Sequence, residues 1–179
     1  MTTEAVEPLR LEGLAKSYGS VQAVRGIDLA MRRGEVLGFV GPNGAGKSTT
    51  IRCILDLLRP TAGRALLFER DPREHGVELR ERVAYVPGEL RLPDRLTARQ
   101  FLRSIGRLRR GFQAARLAEL AERFKLDLDR PMSNLSSGNR RKVSVLSAFL
   151  TDAELLILDE PTSGLDPLMQ HEFLELVRE

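Results

Sequence analysis

One cysteine, Cys53, is all that 179 residues contain. This excludes an internal disulfide and a thiolate metal quartet, and it suits a reducing compartment. Cys53 itself reads as a small apolar residue of a core. Long apolar runs are missing too, since none approaches the roughly 20 residues that a bilayer span needs. The first ten residues, MTTEAVEPLR, have neither the basic region nor the apolar centre of a targeting segment. The expectation is a soluble chain whose role at a membrane comes through a partner. There is no internal repeat and no low-complexity tract, which excludes a repeat array. Charge of one sign is scarce as well: 28 Lys and Arg stand against 25 Asp and Glu, a net +3 in a chain that is 30% charged. Such a modest imbalance, spread along the chain, does not point to nucleic acid. Four of the basic residues are lysines and 24 are arginines, with Arg-Arg pairs at 32–33, 109–110 and 140–141. Most of these read as solvated faces.

What is present is enough apolar material, 42% of residues, to bury a genuine core in one domain or a little more, which sets disorder aside. LRLEGL at 9–14 and IDLAM at 27–31 alternate as strands do, with Gly19-Ser20 as a turn between them. EVLGFV at 35–40 reads as a compact strand, and Ile51, Ile54, Leu55 and Leu58 recur at helical spacing over 47–58. RALLF at 64–68 and RVAYV at 82–86 read as further strands. Thr97 with Gln100 forms a capping box ahead of the stripe Phe101, Leu102, Ile105 and Leu108. Leu117, Leu120, Ala121 and Phe124 form a second stripe, so residues 97–126 read as a helical insertion. ELLILDEP at 154–161 reads as a buried strand of parallel type and PLMQHEFLELVRE at 167–179 as a helix. His75, among DPREHG, reads as a loop residue. Alternating strands and helices predict an α/β core with a helical lobe.

Residues 41–48, GPNGAGKS, fit G-x-x-x-x-G-K-[ST] between a predicted strand and a predicted helix. Glycines at 41, 44 and 46 let backbone N–H groups turn inward around a phosphate, and the helix dipole adds positive potential. Lys47 reaches toward outer phosphates and the Ser48 hydroxyl toward Mg²⁺. Such a loop does not by itself separate a kinase, a GTPase and an ATPase. LLILDE at 155–160 narrows the choice, because a buried strand then ends in two carboxylates. Asp159 is placed to hold Mg²⁺, the acidic strand end called Walker B, and Glu160 to orient and deprotonate an attacking water. At 134–142, NLSSGNRRK puts serines and a glycine where a helix begins; it reads as a cap or as a cap that also holds an anion.

The series GPNGAGKS, LSSGN, LLILDE and SGLD, in that order, resembles the ATP-binding cassette ATPases, the nucleotide-binding subunits of ABC transporters. The resemblance covers nearly the whole chain. It implies a P-loop NTPase fold: a parallel sheet with helices on both faces, N-terminal antiparallel strands, and a helical lobe inserted at about 92–150. It implies ATP contacts from Gly41, Pro42, Asn43, Gly44, Ala45, Gly46, Lys47, Ser48 and Thr49, and an adenine-stacking ring at Tyr18, whose other reading is an exposed strand-end tyrosine. Ser48 and Asp159 become the Mg²⁺ ligands and Glu160 the catalytic residue. Ser136, Ser137 and Gly138 then face the triphosphate bound by a second copy, with Asp166 of SGLD between the copies. The implied partners are ATP, that second copy and a transmembrane permease, with no nucleic acid; the implied place is the inner face of the cell membrane. SSGNRRK and PTSGLDPLMQ resemble the export-type branch that handles drugs or antibiotics.

The sequence departs from the family's pattern. Ser137 and Asn139 replace a glycine and a glutamine of LSGGQ, and Gly88 stands where the family has a glutamine that ligates Mg²⁺, with Glu89 beside it as the candidate substitute. His171 falls inside a predicted helix and reads as a surface residue rather than the family's switch histidine. The chain stops within that helix without a stop signal. The expectation is a shortened domain with an exposed sheet flank, reduced stability and impaired hydrolysis. A nucleotide-dependent clamp with little turnover is the rival to the ATPase.

Overall fold

The computed structural model describes residues 6–109 and 111–179, so most of the short polar tail and the second arginine of the 109–110 pair lie outside the described residues. The chain forms two compact units, one reaching to Arg82 and the other beginning at Val83.

The first unit is built on an antiparallel sheet of order β2-β1-β3, with β1 at Leu9–Tyr18, β2 at Val21–Met31 and β3 at Ala62–Leu67. The register runs from Leu9 opposite Met31 to Tyr18 opposite Val21, with shifts after Leu11, Leu14 and Lys16. Leu9, Leu11 and Leu14 point into the core, and helices α1 (Lys47–Ile54) and α2 (Pro72–Glu81) pack on this sheet. Cys53 is buried there, as its apolar reading expects.

Three local readings need correction. Helix α1 stops at Ile54 rather than Leu58. Asp56 takes φ 54°, its N–H donates to Cys53 O, and the Leu57 N–H donates to Arg52 O. This is a Schellman closure with an aspartate in the left-handed position that glycine usually fills. His75 lies in helix α2, not in a loop: Asp71 caps the helix by accepting from the Arg73 N–H at 2.8 Å, Pro72 follows as its first residue, and His75 marks a kink. Residues 35–40 form no strand. They follow a turn in which the Glu35 carboxylate accepts from the Arg32 N–H, and Val36 and Val40 are 72% and 94% exposed. A strand is a paired structure, and no described strand pairs with this segment, so apolar composition alone does not make it one.

The second unit holds a parallel pair, β4 (Val83–Val86) and β5 (Leu155–Leu158), in register from Val83 opposite Leu155 to Val86 opposite Leu158. A parallel pair requires a long crossover, and here it contains α3 (Ala98–Leu108), α4 (Ala114–Arg123) and α5 (Ser137–Phe149), before α6 (Pro167–Arg178) follows β5. Thr97 and Gln100 make the reciprocal capping box of α3. Leu117, Leu120, Ala121 and Phe124 are buried, as their spacing predicts, in a core shared with Leu102, Met132, Leu146 and Met169. Helix α5 is the most enclosed of the helices, burying Arg141 and Lys142 along with its apolar residues.

Candidate functional site

The phosphate loop belongs to the first unit. Gly44 and Gly46 adopt φ 83° and 88°, a region open to glycine at no steric cost. A Cβ on Gly46 would stand 2.2 Å from the Ala23 carbonyl oxygen, so this glycine also lets the loop close onto β2. Gly46 is the N-cap of α1 and, having no side chain, leaves the helix start without a side-chain cap. The N–H groups of the first turn and the positive end of the helix dipole are thereby free of a competing side chain, which is the donor set a phosphate fits. The Lys47 ammonium donates to the carbonyls of Gly41 at 2.7 Å and Pro42 at 3.0 Å. Ser48 and Thr49 are half-buried in the first turn, while Pro42, Asn43 and Ala45 are exposed. Tyr18 ends β1 half-exposed, with the Lys16 ammonium 5.2 Å from its ring centre.

The carboxylates belong to the second unit. Asp159 is 6% exposed, and its N–H donates to Val86 O at 2.9 Å, continuing the β4–β5 ladder by one residue. Glu160 is exposed at φ 49°, a left-handed conformation that a glutamate rarely adopts. A Cβ on Gly88 would lie 3.3 Å from Asp159 Oδ2, so the position where the family carries glutamine does lie against Asp159. Glu89 beside it is exposed. Among the described residues no three His, Cys, Asp or Glu side chains cluster to hold an ion. A Mg²⁺ site built from a hydroxyl, a carboxylate and the phosphate oxygens of a nucleotide needs no such cluster.

Ser136 caps α5, its hydroxyl accepting from the Asn139 N–H at 3.3 Å. Ser136 and Ser137 are exposed, leaving small hydroxyls at the helix start. Asp166 caps α6 by accepting from the Met169 N–H at 3.1 Å. His171 is exposed on that helix.

Two relationships escaped sequence reasoning. A Cβ on Gly138 would stand 2.8 Å from the carbonyl oxygen of Gly164, so LSSGN and SGLD touch through bare backbone. The 140–141 arginine pair is no solvated face: Arg141 is 5% exposed, and it donates to the carbonyls of Pro87 at 2.7 Å and Gly88 at 2.5 Å. Burial pushes its pKa down, against the opposing fields of Glu160 and Asp159. The available signal was its i, i+4 spacing to Val145 within a helix apolar on most sides.

The ABC transporter family model matches residues 24–163. The chain is 38% identical to the daunorubicin/doxorubicin resistance ATP-binding protein of Streptomyces peucetius, covering 99% of this chain and 56% of that protein. It is also 38% identical to the Nod factor export ATP-binding protein I of Ralstonia nicotianae, over 95% of this chain and 54% of that protein. The chain thus spans little more than half the length of these curated relatives. A solved structure of the ATP-binding subunit of an ABC transporter superposes with a TM-score of 0.86 at 32% identity, over 95% of this chain and 73% of that one.

Proposed function

Because this chain belongs to the ABC transporter family, we propose that it binds MgATP at the Gly41–Ser48 loop, pairs with a second copy across that nucleotide, and hydrolyses it to power a separate membrane permease. The observation that carries this reading is the start of α1, where left-handed glycines and a missing side-chain cap leave backbone N–H groups for phosphate beside Lys47. All of residues 1–179 act as one nucleotide-binding domain, with about 92–150 as its inserted lobe.

Lys47 and the loop amides hold the β- and γ-phosphates, Tyr18 stacks on adenine, and Ser48 and Asp159 hold Mg²⁺. When bound, Mg²⁺ offsets the charge on the transferring phosphoryl oxygens. Glu160 orients a water toward the γ-phosphorus and takes its proton as the new P–O bond forms and the bond to the β-phosphate oxygen breaks. Ser136, Ser137 and Gly138 of one copy meet the γ-phosphate held by the other, as small donors at a helix start suit an anion. Closing and reopening of the pair drives the permease, which docks on the lobe and on the 87–95 loop at the inner face of the membrane. The names of the two curated relatives speak of drug resistance and of export, and export is the direction assigned here. Nucleic acid has no part in this reading.

Phosphate release by the unmutated chain and by Glu160→Gln tests hydrolysis. The expected result is a loss of about a hundredfold or more in kcat, with ATP binding kept. One observation favours a second reading, a nucleotide-driven clamp with little turnover: Gly88 brings no side chain to Asp159. Equal and negligible rates in both proteins are the result that reading predicts.

A further inference from the structure

Residues 87–94 leave β4 and lead to α3 along the beginning of α5, and two consecutive arginines of α5 grip them at both ends. Arg141 spans the first two carbonyls, Pro87 at 2.7 Å and Gly88 at 2.5 Å. Arg140 donates to the Asp94 carboxylate at 2.7 Å, to Leu92 O at 3.3 Å and to Met132 O at 3.1 Å. Between the two grips, Glu89 and Arg91 are exposed.

A guanidinium that is 5% exposed carries a desolvation cost, and an apolar residue of similar length would fill its place without it. What only arginine supplies is a planar fork that reaches two carbonyls at once. Those two carbonyls belong to the residue whose bare Cα faces Asp159 and to its neighbour. Position 88 brings no side chain of its own, so at this end of the loop it is the backbone that is held, and Arg141 holds it. The same helix turn begins at Ser136, whose hydroxyl caps it. Loop and cap are therefore joined by side chains five residues or fewer from the cap, and the held backbone at position 88 lies against Asp159 of the acidic strand end.

We propose that Arg141, with Arg140 as a second anchor, is a positioning residue that fastens the 87–94 loop to the start of α5, so that a displacement of the loop moves the Ser136–Gly138 cap and resets the space around Asp159. The inference rests on the reading above of the cap as a phosphate-contacting element and of the loop as a docking surface. Glutamine at 141 is too short for the fork, and lysine keeps the charge but reaches a single carbonyl.

The test joins a distance measurement to kinetics. Spin labels at Arg91 in the loop and Asn139 at the cap report their separation in the full chain. The Arg141→Gln exchange should at least double the width of the distance distribution, a roughly local loosening of the kind seen when a tether is removed. In unlabelled protein the same variant should bind MgATP within about twofold of the unmutated affinity while kcat falls about tenfold, and Arg141→Lys should recover part of that loss. A merely structural role would instead lower affinity and melting temperature together. A distribution of unchanged width overturns the proposal, as does a loosened loop with kcat intact. Should Arg141→Gln fail to fold, Arg141→Lys and Arg140→Gln are read by the same two criteria. If the unmutated chain turned over no ATP, the functional reading would fall, and the distance measurement alone would decide whether the fastening exists.

Discussion

The backbone of Gly138, in the cap of α5, lies against the carbonyl of Gly164, close enough that a Cβ at 138 would stand 2.8 Å from that oxygen. The atom in the way is backbone, so the loop or the helix start must shift to admit even a methyl group. Gly138→Ala is expected to destabilise the chain by about 1–3 kcal/mol, the usual cost of overpacking, and to abolish ATP-dependent pairing. Chemical denaturation and sedimentation check the two effects.

Gly46 and Gly44 separate a steric role from a conformational one. Both have φ above 80°, but a Cβ on Gly46 meets Ala23 O at 2.2 Å while one on Gly44 meets nothing within 4 Å. Gly46→Ala should cost about 3 kcal/mol or more, combining backbone strain with a clash. Gly44→Ala should cost only about 1 kcal/mol, the left-handed strain alone. Urea titrations of the two variants, which predict clearly different midpoints, decide between these outcomes.

Asp129 supplies a pH dependence of definite sign. Arg99 donates to both of its oxygens, at 2.7 and 2.8 Å, and this hydrogen bonding holds the Asp129 carboxyl below its ordinary range. A depressed carboxyl pKa adds stability that is complete above the unfolded value, near 3.8, and disappears as pH falls through the folded one. Asp129→Asn should therefore be slightly less stable than the unmutated chain at pH 7 and equal to it in strong acid. The pair is largely exposed, so the effect is small and should shrink further in high salt. Denaturant midpoints across that pH range provide the check.

Cys53 is buried, and burial pushes its thiol pKa up, with Lys16 opposing weakly. Little thiolate forms at neutral pH, and the sulfur is out of reach. A thiol reagent at pH 8 should modify the native protein far more slowly than the protein in denaturant. Equal rates would place the thiol at the surface.

Much of this architecture is legible from residues alone because its causes are local. The left-handed glycines of GPNGAGKS, the Thr97–Gln100 box and the buried stripe from Leu117 to Phe124 each follow from nearest neighbours along the chain. The strand LLIL was readable from its apolar run and pairs in parallel with VAYV. Failures cluster where distance in sequence or a rarer conformation decides. Residues 35–40 have strand composition, yet composition does not supply a partner. Asp56 closes a helix in a conformation that glycine would have announced. The Asp71-Pro72 pair is a helix start that the loop-like polarity of DPREHG conceals. The burial of Arg141 depends on carbonyls more than fifty residues away in the chain, which no periodicity reveals. For the site, the residue types were evident, but the contact of Gly138 with Gly164 and the approach of Gly88 to Asp159 required the fold.

The most direct test of the central claim is the assembly state of the Glu160→Gln chain at saturating MgATP, with and without Lys47→Ala. Sedimentation should show a dimer that forms only with nucleotide and is lost when Lys47 is replaced. A chain that remains monomeric with Lys47 present, or that dimerises equally without nucleotide, would contradict it.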